Sequence, residues 1–444
     1  MAPAQTEALP ARTSLLPVLG LFFGIAVTVG GTLGVGILRQ PGPVASYLHA
    51  PWLIMLMWFG GAVYAALGAA NVAELATMIP RAGGFYVFAR EALGSGAGFT
   101  AGWGDFLANI AATAYAGMAA MEFLDRMAPS VSHAGPVMAC LAILGFAVMQ
   151  WFGIRLCGRV QQIASALAAL ALAGLVVACF TLPAQHHAPP AAVSLGPGFL
   201  AAMVLAIQSI VVTYDGWYEP IYFAEEARHP ARQLPRAIFG GLALVTAIYL
   251  LLNAAFLRAL GPAGLAESKF AAADAAAKIF GPASGVIISA LAVVILLTLL
   301  HSVLMSATRV MFAVSRDGLF WRQAALVAGN GTPRTALALS TLAALALVLS
   351  GTVDRLIAMA GFFFVANYCG AYISLLVLRR RKPSAERPFR VPGYPLLTVL
   401  ALCGSLAFLV GAVASDGANS LYALLLLLAS FPLRRGLLFF ASRK

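Results

Sequence analysis

Long apolar runs follow one another through most of this 444-residue chain, separated by short loops that carry arginine and lysine. Hydrophobic residues make up 61% of the sequence and charged residues only 10%, which excludes an ordinary soluble domain. A helix needs about 20 apolar residues to cross a bilayer, so about a dozen crossings fit. The sequence therefore predicts an all-α integral membrane protein with about 12 transmembrane helices.

The predicted spans form two groups of five and a final pair. They lie at residues 15–48, 52–79, 95–122, 135–153 and 160–182, then 198–226, 236–260, 282–314, 334–351 and 354–378, then 395–414 and 418–433. We divide the chain into a cytoplasmic lead (1–14), a first five-helix repeat (15–182), a second repeat (198–378), a basic cytoplasmic linker (379–394), helices 11 and 12 (395–433) and a cytoplasmic tail (434–444).

The positive charges are distributed unevenly between the loops. With the N-terminus in the cytoplasm, 22 of the 28 lysines and arginines fall on the cytoplasmic side. Short cytoplasmic loops carry such an excess, so the bias predicts an even number of spans and two cytoplasmic termini. We interpret the net charge of +12 as a topology signal rather than as a nucleic-acid-binding surface. The predicted location is the inner (cytoplasmic) membrane of the cell.

The first span is interrupted by the segment Gly30–Leu38, in which four glycines fall within seven residues. Each glycine costs a helix about 1 kcal/mol relative to alanine. A freed backbone N–H or C=O in hydrocarbon costs several kcal/mol more, so a break is tolerated where it faces protein or a water-filled cavity. Transporters use such breaks to point half-helix ends at a substrate. The segment therefore indicates a transporter.

A second interruption, Val211–Pro220, brings glycine, proline and two acidic residues into the sixth span. Because five spans precede it, this span starts from the opposite side of the membrane, and a repeat that begins there is inverted. Paired interruptions at corresponding positions of two halves are the best sequence pointer to a substrate site. If the two halves are structural repeats, they are therefore inverted, and each opens with an interrupted helix, helix 1 in the first half and helix 6 in the second.

Four motifs resemble those of the amino acid–polyamine–organocation (APC) superfamily of transporters. Gly31–Leu38 is similar to its G-x-x-G-x-G-I-F segment, and Ala73–Gly84 to its A-E-L-x-x-x-x-P-x-x-G-G signature. Tyr214–Trp217 and Glu225–Glu226 resemble the pattern around span six of the L-type-like amino acid transporters, and Ser315–Gly318 resembles the S-R-D-G loop after span eight. The likeness covers nearly the whole chain and implies the LeuT-type fold and transport of amino acids or related amines.

An α-amino acid presents a carboxylate and an ammonium group to these breaks. Free N–H groups near Gly36 suit the carboxylate, and carbonyls near Thr32 and Thr213 suit the ammonium; the resemblance implies the same arrangement. The predicted substrate-binding residues are Gly31, Thr32, Val35, Gly36, Ile37, Asn109, Val212, Thr213, Tyr214, Asp215 and Gly216. The alternatives are that the glycines and Asn109 serve helix packing and that Thr213 and Tyr214 bond to nearby backbone.

Asp215 and Glu219 are candidates for proton coupling, because ionisable residues are rare near the membrane midplane. Asp215 alternatively holds the ammonium or caps a helix, and Glu219 alternatively pairs with a buried polar group. We expect Glu225–Glu226 to form ion pairs at the cytoplasmic end. Many L-type-like relatives carry a lysine in span five, at a position near Ala168 of this chain, and an aromatic gate where this chain has Val212. Coupling to H⁺, to Na⁺ or to neither therefore stays open, and Val212 indicates a roomier pocket or a different gate.

The predicted function is secondary active transport of amino acids, as a symporter or exchanger that works by alternating access. The alternatives are a polyamine or cationic-amine carrier and a sensor that binds an amino acid without moving it. The sequence has no HExxH motif, Ser/His/Asp set or nucleotide loop, so we predict no enzyme and no catalytic residue. Its five cysteines form no CxxC pair, and we expect no metal site and no cofactor beyond a coupling ion. The expected partners are an amino acid or amine and the lipid bilayer, without nucleic acid; the sequence does not predict the oligomeric state.

Overall fold

The structure, a computed structural model, describes residues 13–127, 134–181, 198–281, 283–350 and 352–441. These residues are largely helical, and an isolated β-bridge joins Leu19 and Ala227. Eight helices are long and apolar enough to cross a membrane, and four shorter apolar helices lie at Leu21–Thr32, Gly135–Trp151, Phe199–Thr213 and Arg334–Ser350. The prediction of an all-α, multi-pass membrane protein is therefore confirmed.

We number the α-helices in chain order. They are α1 (Leu21–Thr32), α2 (Gly36–Arg39), α3 (Pro41–Leu48), α4 (Pro51–Met78), α5 (Phe85–Leu93), α6 (Ser95–Met127), α7 (Gly135–Trp151), α8 (Ile154–Thr181), α9 (Phe199–Thr213), α10 (Pro230–Glu267), α11 (Ala271–Phe280), α12 (Ser284–Arg316), α13 (Arg334–Ser350), α14 (Val353–Arg381), α15 (Leu396–Ser415), α16 (Gly417–Leu428) and α17 (Ser430–Ala441). Most of the predicted lead and the loop at 183–197 lie outside the described residues.

The first predicted span is divided by a break between α1 and α2. Leu33 leaves the helix in an extended conformation (φ −66°, ψ 98°), and helical structure resumes at Gly36. Gln40, between α2 and α3, keeps helical angles (φ −64°, ψ −23°), so the backbone is helical from Gly36 to Leu48. The chain therefore contains a second half-helix whose N-terminus starts inside the protein.

The sixth predicted span is divided in a similar way. α9 ends at Thr213, and a 3₁₀ segment follows at Glu219–Glu226. Gly216, between them, has a φ of 107°, which residues with a Cβ rarely adopt. A Cβ at this position would also lie 2.3 Å from the carbonyl oxygen of Gly31. The two breaks therefore touch, and only glycine satisfies both the conformation and the space.

The breaks are held in place by close helix packing. α6 and α12 pack along each other at the centre of the protein, and α1 packs against α8 and α10. Small residues form the seam between α1 and α10, where a Cβ on Gly24 would meet Ala237 and one on Gly241 would meet Thr28. In a membrane, small residues stabilise helix pairs because they let the backbones approach. The seam fixes the approach of α1 to the first break.

Candidate functional site

Both breaks open into a cavity of about 190 Å³. Its wall contains Gly31, Thr32, Gly34, Val35, Gly36, Arg39 and Gln40 from the first break, Val211, Val212, Thr213, Asp215, Gly216, Tyr218 and Glu219 from the second, and Ala112, Tyr115, Leu299, Val303, Ile357, Ala360, Gly361, Phe364, Val365 and Phe408 from α6, α12, α14 and α15. The structure therefore brings together eight of the eleven predicted substrate-binding residues.

Backbone polar groups of opposite kind converge at the breaks. Among the bonds of the described residues, the N–H groups of Gly36 and Ile37 have no acceptor. On the other side, the hydroxyl of Tyr249 on α10 lies 2.8 Å from the carbonyl oxygen of Thr32 and 3.0 Å from that of Thr213. One tyrosine thus joins the carbonyl ends of α1 and α9. The sequence analysis did not identify Tyr249, whose only signal is a tyrosine within an apolar span.

Asp215 brings a carboxylate to the cavity wall. It accepts hydrogen bonds from the hydroxyl of Tyr368 and, at 3.2 Å, from that of Tyr218. Tyr218 in turn packs against Phe85 and Phe364, with ring centroids 5.1 and 5.5 Å apart. The carboxylate therefore lies on an aromatic layer that forms one end of the cavity.

Glu219, the first residue of the 3₁₀ segment, lines the same cavity. It is buried, and its Oε2 accepts hydrogen bonds from Ser306 at 2.6 Å and Ser302 at 3.4 Å on α12. A Cβ on Gly31 would lie 2.4 Å from the Glu219 Cγ atom. Among the described residues, only the neutral hydroxyls of Ser302 and Ser306 donate hydrogen bonds to this carboxylate. Residue 31 must be glycine, because a Cβ there would collide with the Glu219 side chain.

Three predicted site residues lie away from the cavity wall. Ile37 is fully buried in the apolar core. Tyr214 packs its ring against Tyr249 at 4.9 Å because the chain turns at the break and directs it out of the site. Asn109 donates hydrogen bonds to the backbone carbonyl and the side chain of Asp105, one turn earlier on α6, at 2.9 and 3.2 Å. The residues of α6 that line the wall are instead Ala112 and Tyr115.

Asp105 is a further buried acid that the sequence analysis missed. Its carboxylate accepts a hydrogen bond of 2.6 Å from Tyr222 on the 3₁₀ segment. The signal that identifies it was available, since it is a carboxylate inside an apolar span. Asp105 thus ties α6 to the second break beyond the aromatic layer.

Ion pairs close the protein on one side of the aromatic layer, which we call the ion-pair side. They are Glu226–Arg309, Glu225–Arg316, Asp317–Arg81 and Asp317–Arg90. The Glu226–Arg309 pair is buried and bidentate, with both contacts at 3.0 Å. None of these residues lies in the cavity wall. The expectation that Glu225–Glu226 form ion pairs is confirmed.

A tyrosine outside the spans reinforces this closure. Tyr86 on α5 donates a hydrogen bond of 2.8 Å to Asp317. Burial, and then the hydrogen bond to Asp317, raise the pKa of Tyr86 above the usual tyrosine range, so its hydroxyl remains a donor.

The opposite side of the cavity, which Arg39 and Gln40 line, we call the mouth side. There, Arg39 lies 3.6 Å from Glu122 in a half-exposed pair.

Comparisons with known proteins identify the family of the chain. A family model described as amino acid permease matches residues 19–431. The serine/threonine exchanger SteT of Bacillus subtilis is 28% identical over 426 residues, covering 94% of this chain and 96% of that protein. The human b(0,+)-type amino acid transporter 1 is 29% identical over 393 residues, covering 86% and 80% of the two chains. The mouse Asc-type amino acid transporter 1 is 28% identical over 395 residues, covering 86% and 74%. The chain therefore belongs to the amino acid permease family, within the APC superfamily.

Proposed function

We propose that this protein is a secondary transporter that exchanges amino acids across the cytoplasmic membrane by alternating access. The observation that carries the proposal is the meeting of two interrupted helices at one cavity, whose wall contains Gly36 with its free N–H group and the last residues of α1 and α9, Thr32 and Thr213. We assign it the LeuT-type 5+5 inverted repeat with helices 1 and 6 unwound. Residues 15–182 and 198–378 form the two repeats of this proposal.

In this proposal, the backbone recognises the groups that all α-amino acids share. The substrate carboxylate lies at the N–H groups of Gly36 and Ile37, where the half-helix start favours an anion. The ammonium lies near the carbonyls of Thr32 and Thr213, and Asp215 and Glu219 are the carboxylates of the wall. The aliphatic and aromatic remainder of the wall then receives the side chain.

The same features favour an amino acid over a polyamine. A polyamine has no anionic group for the free N–H groups of Gly36 and Ile37. It would also pass Arg39, a cation in the cavity wall on the mouth side. Repulsion between like charges disfavours a polycation at this entrance.

The sidedness of the proposal comes from charge. The ion-pair side carries the arginine-rich loops, so we assign it to the cytoplasm, with both termini there. The cavity then opens to the outside, and transport requires the ion pairs to separate while the mouth closes. Exchange is the favoured mode because SteT, which aligns along nearly its whole length, is named an exchanger.

We propose Asp215 and Glu219 as the groups that would carry a proton if transport is coupled to one. Both line the cavity and are held by hydroxyl donors rather than by cations. The position where relatives carry a lysine lies near Ala168 in α8, and residues 160–181 of that helix contain no lysine or arginine that would substitute for a coupling ion.

Counterflow in proteoliposomes tests the function. Vesicles are loaded with unlabelled serine, threonine, leucine, lysine or putrescine, and uptake of each labelled compound is followed with and without a pH gradient. Uptake that requires an amino acid inside supports the proposal, and counterflow of putrescine alone would establish the polyamine carrier. Binding without counterflow would establish the sensor.

Two variants connect this assay to the site. Gly216→Ala places a methyl group against Gly31 and strains the backbone, so counterflow should fall at least tenfold. Gly60→Ala on α4 meets nothing within 4 Å and should retain wild-type counterflow. Loss of the pH response in Asp215→Asn or Glu219→Gln, with exchange intact, would identify the proton carrier.

A further inference from the structure

A second, larger cleft lies on the ion-pair side, outside the transport cavity. It has a volume of about 560 Å³ and is bounded by the chain that leads into α1 and by the first turns of α8. Leu19, at its edge, donates its backbone N–H to the carbonyl of Glu226 at 2.8 Å, which fixes the cleft beside the ion pairs. Its lining includes Leu19, Phe22, Arg155, Arg159, Gln162 and Arg228.

The cleft collects positive charge that nothing described in the structure neutralises. Arg155, Arg159 and Arg228 are all exposed, and no described carboxylate lies within ion-pair distance of any of them. The acids on this side are engaged elsewhere, since Glu225 pairs with Arg316 and Glu226 with Arg309. Three guanidinium groups around one cleft suit a phosphate, which arginine binds in bidentate geometry.

The surface beyond the arginines is apolar, which favours a lipid over a soluble anion as the ligand of the cleft. Arg155, Arg159, Ile163, Leu167 and Leu170 follow one another at intervals of four, four, four and three residues, so they lie on one face of α8. Ile163, Leu167 and Leu170 are 61%, 57% and 68% exposed. The helix face thus changes from cationic to apolar as it runs into the membrane, matching a phospholipid from headgroup to acyl chain.

We propose that this cleft binds the phosphate headgroup of an anionic membrane phospholipid, with an acyl chain along the exposed face of α8. Basic pockets between membrane helices are suited to such headgroups. Because the cleft lies between the start of α8 and the chain that enters α1, the bound lipid contacts both segments.

Native mass spectrometry of the full-length protein in detergent tests the proposal directly. The protein is titrated with phosphatidylglycerol or phosphatidylcholine, and the bound lipid is counted. We expect one phosphatidylglycerol to bind in preference to phosphatidylcholine. Replacing Arg155, Arg159 and Arg228 by Gln should weaken phosphatidylglycerol binding about a hundredfold, since each arginine near an anionic surface contributes about fivefold.

A matched control replaces three exposed arginines on other loops, Arg322, Arg380 and Arg390, by Gln, and should retain wild-type binding. If the two triple variants bind equally, or if the wild type does not distinguish the two lipids, the cleft is not a lipid site. If the first triple variant is not monodisperse, Arg159→Gln alone decides, with an expected fivefold loss.

A second arm distinguishes a lipid from a soluble anion. Ile163→Ser with Leu167→Ser should weaken phosphatidylglycerol binding, because the acyl chain loses its apolar contact, while the three arginines remain. Inorganic phosphate at the same concentrations should not displace the lipid. Displacement by inorganic phosphate, together with unchanged binding in the serine variant, would overturn the assignment to a lipid.

Discussion

The two ends of the transport cavity are closed by different means. On the ion-pair side, four ion pairs and an aromatic layer separate the cavity from solvent, and the Glu226–Arg309 pair is fully enclosed. On the mouth side, the only ion pair among the described residues near the cavity is Arg39–Glu122, 3.6 Å apart with side chains 33% and 46% exposed. Buried pairs are costly to break, whereas exposed pairs contribute about 0–1 kcal/mol. Among the described residues, buried ion pairs therefore close the ion-pair side of the cavity and not the mouth side.

This asymmetry gives the buried pair a conformational role. Arg309 belongs to α12 and Glu226 to the 3₁₀ segment that continues the second break. Opening the ion-pair side exposes both charges to water, which offsets the loss of their contact. The Glu226–Arg309 pair is therefore suited to a closure with two stable states. The ion pair stabilises the closed state, and hydration of the two charges stabilises the open state.

Glu226→Gln should have the largest effect on the difference in closure between the ion-pair side and the mouth side. The substitution leaves Arg309 buried and unpaired in the closed conformation, at a cost of roughly 3–5 kcal/mol that hydration relieves on opening. A cysteine placed at Ala360 in the cavity wall, in a chain whose native cysteines are replaced, should react with an impermeant maleimide from the ion-pair side about a hundredfold faster or more. Sided labelling in oriented proteoliposomes measures this rate.

The control removes both charges together. Glu226→Leu with Arg309→Met leaves no buried charge, so labelling from the ion-pair side should return towards the wild-type rate. Equal acceleration in the single and double variants would mean that the pair acts through packing alone.

Tyr368→Phe should have an intermediate effect. It removes the hydroxyl that donates to Asp215 and thereby weakens the aromatic layer below the cavity. A hydrogen bond to a charged group contributes about 1.5–3 kcal/mol, so labelling of the Ala360 position from the ion-pair side should rise roughly tenfold to a hundredfold. Tyr372→Phe, one turn further along α14 and equally buried, is the matched control. Identical rates in the two variants would remove Asp215 from the closure.

Arg39→Gln should have the smallest effect on conformation. Its pair with Glu122 is half-exposed, so loss of the pair should change the free energy of unfolding by less than about 1 kcal/mol. Differential scanning fluorimetry in detergent measures this change, and the labelling rate from the mouth side should stay within about twofold of wild type. A large loss of stability would show that the Arg39–Glu122 pair also holds the mouth side in a fixed arrangement.

The sequence predicted where the two helices are interrupted, because a break depends on local composition. Glycine clusters and an acid-bearing interruption cannot continue a membrane helix, wherever the rest of the chain lies. The segments Gly30–Leu38 and Val211–Pro220 accordingly contain both observed breaks. The touching of Gly31 and Gly216 was not predicted, since it depends on how two distant segments pack.

Side-chain direction around the breaks was harder to predict. Tyr214 follows Thr213 directly, yet Thr213 lines the cavity and Tyr214 packs behind it, because the helical period ends there. Contacts between distant segments leave no local pattern in the sequence, because they depend on how the helices pack. Examples are Tyr249 with the two carbonyl ends and Arg309 with Glu226. Asp105 differs, since its position in an apolar span was itself a signal.

The most direct test of the account is protection of the cysteine at Ala360 by substrate, measured from both sides of the membrane. The account predicts that an impermeant maleimide reaches this cysteine from the mouth side. An amino acid that supports counterflow should slow the labelling, and putrescine should not. Equal labelling from both sides, or an absence of protection by every transported amino acid, would contradict the claim that the two breaks form a one-sided amino acid site.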